Sequence, residues 1–114
     1  MPQQQRLDRA VERVIAASIH SVGDLDLVLA LQRDPGRRWT VDELAREIDC
    51  PESWAGAQLE RLRADGLVHH EPPDRYALTR TPGTRAAVDR LAELTSQRRA
   101  DLVRRIFARR HRHR

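Results

Sequence analysis

The chain of 114 residues suits a single domain, and a chain of this length can bury a core without disulfides or metals. Cys50 is its one cysteine, which excludes a disulfide framework and a thiolate zinc site. No apolar run approaches the ~18 residues of a membrane span, and the N-terminus carries no leader-like apolar stretch. We therefore expect a cytoplasmic protein that does not associate with membranes.

Charge is distributed unevenly along the chain. All 21 basic residues are arginine, and the formal net charge is +4. Residues 98–114 hold eight arginines and one acid and carry +7, whereas residues 1–97 hold 13 arginines and 16 acids and carry −3. The pI of 10.8 therefore reflects the C-terminal tail, and it indicates nucleic-acid binding less strongly than a basic folded body would.

The N-terminal part of the chain is predicted to contain two helices. We expect residues 2–6 to be disordered, and apolar residues at helical spacing from Leu7 onward predict an amphipathic helix over residues 7–19. Ser21 is predicted to cap a second helix over residues 22–32. The many leucines of this second helix indicate that it is central and buried on most sides.

The middle of the chain is predicted to form a pair of helices. The sequence TVDE at residues 40–43 is a capping box, which predicts a helix over residues 41–48. After a tight turn, Pro51 suits the first position of the next helix, which we expect to end at Asp65. Gly66 then supplies a left-handed C-cap.

A hairpin and a long helix are predicted to follow. Residues 67–71 and 75–79 indicate two strands joined by a short loop, and Trp39 is expected to form a very short strand. From Thr81-Pro82 the apolar spacing predicts one helix, about 36 Å long, ending near residue 108. The predicted organisation is an N-terminal helix (1–21), a central module (22–80), a long C-terminal helix (81–108) and a frayed basic tail (109–114).

The stretch from Trp39 to Leu78 resembles the winged helix-turn-helix of bacterial regulators, especially those of the MarR-like type. The capped helix VDELAREI, the second helix ending LERLRADGLV and the short wing of the hairpin, residues 72–75, carry the resemblance. It implies a mainly α fold with a small β-hairpin, namely a winged helix-turn-helix with flanking N- and C-terminal helices. It also implies a DNA-binding transcriptional regulator that dimerises through those flanking helices.

In such a fold the second helix of the pair faces the major groove and the wing follows the adjacent backbone. We therefore expect the side chains of this helix and wing that lie outward to contact double-stranded DNA and to be exposed. They are Ser53, Trp54, Ala57, Arg61, Arg63 and Arg75. The chemistry of this face is a poor match to DNA, because Ala57 stands where the resemblance would often place arginine, and Glu52 and Glu60 would repel phosphates.

A homodimer is predicted from an apolar stripe on the terminal helices that residues 22–79 cannot fully cover. The predicted dimerisation residues are Leu7, Val11, Leu91, Leu94, Leu102 and Ile106. The polar stretch over residues 95–100 interrupts the stripe, so the helix could instead bend or fold back.

Several residues allow two interpretations. Trp54 is either a contact for a protein partner or a core residue folded over the first helix of the pair. Cys50 is either a redox-sensing thiol at a helix N-terminus or a small side chain in a turn; the second is favoured, because Pro51 removes a backbone donor there. The arginine-rich end is either a phosphate-binding arm or a solvated surface.

No constellation of catalytic residues is present, and no cofactor or metal site is expected. His69 and His70 fall on opposite faces of a strand, so they cannot readily share one ion. The sequence therefore favours a non-enzymatic, DNA-binding transcriptional regulator. The alternative is a winged-helix protein-protein interaction module that has lost sequence-specific DNA reading; the acidic balance of residues 1–97 and Ala57 favour it.

Overall fold

The structure is a computed structural model that describes residues 2–112, with side chains over residues 5–108. The described part is mainly helical with one antiparallel hairpin, as predicted. Its elements are α1 (Pro2–Ser18), α2 (Val22–Arg33), α3 (Val41–Ile48), α4 (Glu52–Ala64), β1 (Val68–Glu71), β2 (Arg75–Leu78) and α5 (Pro82–Arg112).

The starts of α2 and α3 and the end of α4 follow the predicted capping chemistry, whereas Pro51 precedes α4 as its N-cap and is not its first residue. Ser21 Oγ accepts a hydrogen bond from the Asp24 N–H at 3.1 Å at the start of α2. In the capping box of α3, the Glu43 N–H donates to Thr40 Oγ1 at 3.1 Å, and the Thr40 N–H donates to Glu43 Oε1 at 2.8 Å. Gly66 has a φ of 83°, which confirms the left-handed conformation predicted after α4.

The hairpin adds a small sheet beside the helices. Val68 pairs with Leu78 and Glu71 with Arg75 in an antiparallel register. Trp39 extends the sheet by one bridge, because its backbone N–H donates to the Tyr76 carbonyl at 2.7 Å and its carbonyl accepts from the Tyr76 N–H at 2.7 Å. The short strand predicted at Trp39 is therefore confirmed.

Helix α2 lies at the centre of the core, as its leucine content predicts. Leu25, Leu27, Val28 and Leu31 are each at most 1% exposed, so this helix is buried on most sides, whereas Asp26 is on its exposed side. Helices α3 and α5 and strand β2 pack against α2, whereas α1 packs mainly on α5. The short, strongly amphipathic α3 then joins α4 to this core.

Two helix boundaries differ from the prediction by more than one residue. Helix α1 begins at Pro2, so the disorder expected for residues 2–6 is wrong. Proline is accommodated at the start of a helix, and the glutamines and arginine that follow are good helix formers. Helix α5 continues to Arg112, beyond the expected end near residue 108. The side chains of the predicted tail, residues 109–114, lie outside those that the structure describes.

The prediction of one continuous C-terminal helix is also wrong, and the alternative left open by the polar stretch over residues 95–100, that the helix bends, is the correct one. Arg98 has non-helical angles, with φ −142° and ψ 46°, and divides α5 into two segments. Arg90 Nε lies 3.0 Å from Asp8 Oδ1, and Arg105 Nη1 lies 2.7 Å from Glu12 Oε1. On a straight helix the two arginines would be about 22 Å apart, whereas their α1 partners are about 6 Å apart. The segment after Arg98 therefore folds back toward α1.

Candidate nucleic-acid interface

Helix α4 has one face in the core and one face in solvent. Ala55, Leu59 and Leu62 are fully buried, whereas Ser53 and Ala57 are exposed as the sequence predicts. The buried residues recur at helical spacing, so the opposite face must point outward. This outward face and the adjacent hairpin form the candidate interface.

Trp54 is half-buried and lies against the beginning of α2. A Cβ atom added to Gly23 would lie 2.8 Å from Trp54 Cη2 and 3.1 Å from Trp54 Cζ2. The indole therefore covers Gly23, and only a residue without a side chain fits beneath it. This contact favours the interpretation of Trp54 as a packing residue, and it places the indole on α2.

Arg61 points inward, contrary to the expected exposure. Its Nη2 lies 2.9 Å from Oδ2 of Asp24, and its Nη1 donates to the Ser18 carbonyl at 2.8 Å. The Asp24 residue is 2% exposed, and its Oδ2 also accepts from the His20 N–H at 2.9 Å. A buried carboxylate requires a nearby cation and hydrogen-bond donors, which is why Arg61 is drawn to this junction of α1, α2 and α4.

Glu60 connects α4 to the hairpin. Its Oε2 accepts a hydrogen bond from the Tyr76 hydroxyl at 2.5 Å, and its Oε1 accepts from Arg63 Nη2 at 3.1 Å and Nε at 3.2 Å. The bonds from Tyr76 and then Arg63 lower the pKa of Glu60. Burial, together with the hydrogen bond to Glu60, raises the pKa of Tyr76 to about 12. The His70 ring lies 4.8 Å from the Tyr76 ring.

Arg75 lies at the base of the wing and is partly exposed. Its Nη1 donates to Glu43 Oε1 at 3.2 Å and to the Arg38 carbonyl at 3.3 Å. Glu43 also lies 3.5 Å from Arg37 Nη2, and its backbone hydrogen bond from Thr40 is the main reason that its pKa is lowered. The carboxylate that caps α3 thus also holds the base of the wing.

The arginines of the candidate interface share one property. Within residues 37–78, every arginine has a carboxylate oxygen within 4.0 Å of a side-chain nitrogen. They are Arg37, Arg38, Arg46, Arg61, Arg63 and Arg75. The spacing of Arg63 and Glu60 makes one such pair visible in the sequence, but the pairing of Arg61 with the distant Asp24 has no sequence signal.

The predicted dimerisation stripe is mostly buried by the chain itself. Val11, Leu91, Leu102 and Ile106 are each at most 3% exposed, and Leu7 and Leu94 are half-buried. The expectation that this stripe is left uncovered is wrong, because the segment after Arg98 returns to the body of the same chain. Phe107 is instead exposed, at 51%, on the outer side of this segment.

The structure gives no support for a reactive thiol at Cys50 or for a metal site among the described residues. Burial, and then the charge of Asp49, raises the pKa of the Cys50 thiol, which is the opposite of what a reactive thiolate needs. Among the residues that the structure describes, no three potential ligands are grouped where they could hold a metal ion. In the same range, no helix has the length and apolar character needed to cross a membrane.

Comparison with known proteins supports the fold. No protein-family model matches the chain, and no curated protein matches it. Among solved structures, the chain is similar to the M. tuberculosis transcriptional regulator MosR, with 24% sequence identity and a TM-score of 0.58 over 97% of this chain and 88% of that one. The chain thus has the winged helix-turn-helix fold with flanking terminal helices.

Proposed function

We propose that the chain is a DNA-binding transcriptional regulator that docks on duplex DNA through α4 and the hairpin. The observation that carries this proposal is the exposed face of α4 beside the hairpin, since this arrangement presents a helix to the major groove and a wing to the backbone. The similarity to a solved transcriptional regulator supports the same role. A regulator of this kind would act in the cytoplasm.

Fewer residues are proposed to contact DNA than the sequence alone indicates. Ser53 and Ala57 line the outward face of α4, and Arg63 and Arg75 are exposed enough to reach phosphates. Arg61 is paired with the buried Asp24 and Trp54 packs over Gly23, so neither is included among the proposed contacts. With few side chains able to read base edges, phosphate contacts would dominate the affinity.

A homodimer is part of the proposal, because winged-helix regulators commonly match a two-fold operator with a two-fold protein. The apolar side chains still available to a second copy are the half-buried Leu7 and Leu94 and the exposed Phe107. A contact centred on Val11, Leu91, Leu102 and Ile106 would require the segment after Arg98 to leave its own chain.

One observation favours the second candidate function, an interaction module without DNA reading. The arginines of residues 37–78 are paired with acids of the same chain, so the net positive potential at α4 and the wing is small. In this case the arginine-rich C-terminal segment would supply any affinity for nucleic acid, without selecting a sequence.

A selection experiment separates the two functions. The full chain is used to capture duplexes from a random DNA pool, and binding of the recovered sequence is compared with that of a scrambled one at several salt concentrations. A regulator enriches a defined site and keeps its preference for that site as salt rises. An interaction module recovers no common sequence, and its binding disappears uniformly with salt.

A further inference from the structure

Glu60 of α4 makes a direct polar contact with the hairpin, and the same carboxylate restrains an arginine. Its carboxylate serves both tasks. Oε2 accepts from the Tyr76 hydroxyl of β2 at 2.5 Å and from Arg63 Nε at 3.4 Å. Oε1 accepts from Arg63 Nη2 at 3.1 Å and Nε at 3.2 Å, and Arg63 lies one turn further along α4.

The two partners differ in their surroundings. Tyr76 is 8% exposed, so its hydroxyl needs an acceptor inside the fold. The side chains of Arg63 and Glu60 are 48% and 50% exposed, and an exposed ion pair of this kind is weak. An incoming phosphate could therefore compete for Arg63, but the Glu60 carboxylate beside it repels that phosphate.

We propose that Glu60 tunes the proposed DNA interface: it positions the wing on α4 through Tyr76, and it restrains Arg63 from binding a phosphate. This inference rests on the proposed function. It assigns a specific role to a carboxylate that the sequence alone marks only as unfavourable for DNA. It also gives a reason for an acid in the middle of a face proposed to meet a polyanion.

Glu60→Gln separates the two tasks. The amide oxygen still accepts from the Tyr76 hydroxyl, whereas the negative charge that restrains Arg63 and repels phosphate is gone. We expect this variant to bind the selected duplex about fivefold more tightly at low salt, and the salt slope to steepen by about 0.9, the value for one added phosphate contact.

Two further variants make the measurement specific. Glu47→Gln removes one exposed negative charge from α3 without releasing an arginine, so it reports the general effect of net charge. Arg63→Ala is made alone and together with Glu60→Gln. We expect a small loss of affinity from Arg63→Ala alone. When the two are combined, we expect the gain of Glu60→Gln to fall to the size of the Glu47→Gln effect.

The wing-positioning task has its own readout. Glu60→Ala removes the acceptor of the Tyr76 hydroxyl, so we expect it to reduce the preference for the selected site over a scrambled duplex, whereas Glu60→Gln retains that preference. If Glu60→Gln and Glu47→Gln change affinity and salt slope equally, the inference about Glu60 is overturned while the proposed function stands. If the parent chain selects no duplex at all, the proposed function itself fails.

Discussion

Asp24 and Arg61 form an ion pair at the junction of three helices, with the guanidinium Nη2 2.9 Å from the carboxylate Oδ2. The carboxylate is buried at the first turn of α2, and the arginine extends from the last turns of α4. The pair therefore joins the central helix of the core to the helix that we propose for DNA docking. Its partners set the orientation of α4 on the body of the protein.

Replacing Arg61 is expected to destabilise the fold, because Asp24 would then be a buried carboxylate without a cation. We expect Arg61→Ala to lower the free energy of unfolding by about 3 kcal/mol. Urea denaturation measures this value, and Arg63→Ala is the matched control from the exposed side of the same helix, with almost no change in midpoint. Equal effects of the two substitutions would contradict the inward position of Arg61.

Tyr76 is expected to ionise late. It is the one tyrosine in the chain, so the ultraviolet absorbance of tyrosinate reports this residue alone. Its pKa in the folded protein, about 12, is above the ordinary 10.0, so its stabilising contribution is present below pH 10.0 and is lost as pH rises through about 12. Glu60→Gln should lower the pKa, because the carboxylate that disfavours tyrosinate is removed. A native protein that titrates near pH 10.0 would refute the buried, hydrogen-bonded hydroxyl.

Gly23 and Trp54 are expected to be coupled. Gly23→Ala places a methyl group 2.8 Å from the indole, so we expect it to cost about 1–2 kcal/mol of stability in the parent chain. In a Trp54→Ala background the same change should be neutral or stabilising by up to about 1 kcal/mol, because alanine is the better helix former. Thermal melts of the four chains give the coupling. Additive effects would show that the indole does not cover Gly23.

The fold-back of α5 is expected to occur within one chain. Cysteines at positions 12 and 105, in a chain with Cys50→Ser, replace the ion pair between Glu12 and Arg105 and can be joined by a short bismaleimide. We expect the crosslinked product to have the mass of a single chain at every protein concentration. Covalent dimers that persist on dilution would show that the segment after Arg98 packs on a second copy.

The sequence predicts the helices that depend on local chemistry more accurately than the contacts between distant residues. The capping box at Thr40 and Glu43 and the left-handed Gly66 are local, so their residues alone determine the element boundaries. The break at Arg98 is not local, because it depends on Leu102 and Ile106 reaching the body of the protein. The polar stretch over residues 95–100 indicates where the helix could bend, but the spacing of the apolar residues is the same on a straight and a bent helix, so the sequence leaves both open.

In the candidate interface too, features set by local sequence are predicted correctly and features set by distant contacts are not. The outward positions of Ser53 and Ala57 follow from the periodicity of α4 and agree with the structure. The inward direction of Arg61 follows from Asp24, which is 37 positions away in the sequence and carries no signal of its burial. An arginine on a surface helix is ordinarily exposed, so the inward direction of Arg61 becomes evident only once the position of Asp24 is known.

The central claim is that the outward face of α4 docks on DNA. The affinity of Ala57→Glu for the selected duplex tests it most directly. Ala86→Glu, on an exposed face of α5, is the matched control, since both changes add one negative charge to an exposed helical alanine. We predict that Ala57→Glu weakens binding at least about tenfold, because a carboxylate would face the groove and the phosphates, while Ala86→Glu has little effect and both chains melt like the parent. Equal affinities for the two variants would contradict docking through α4.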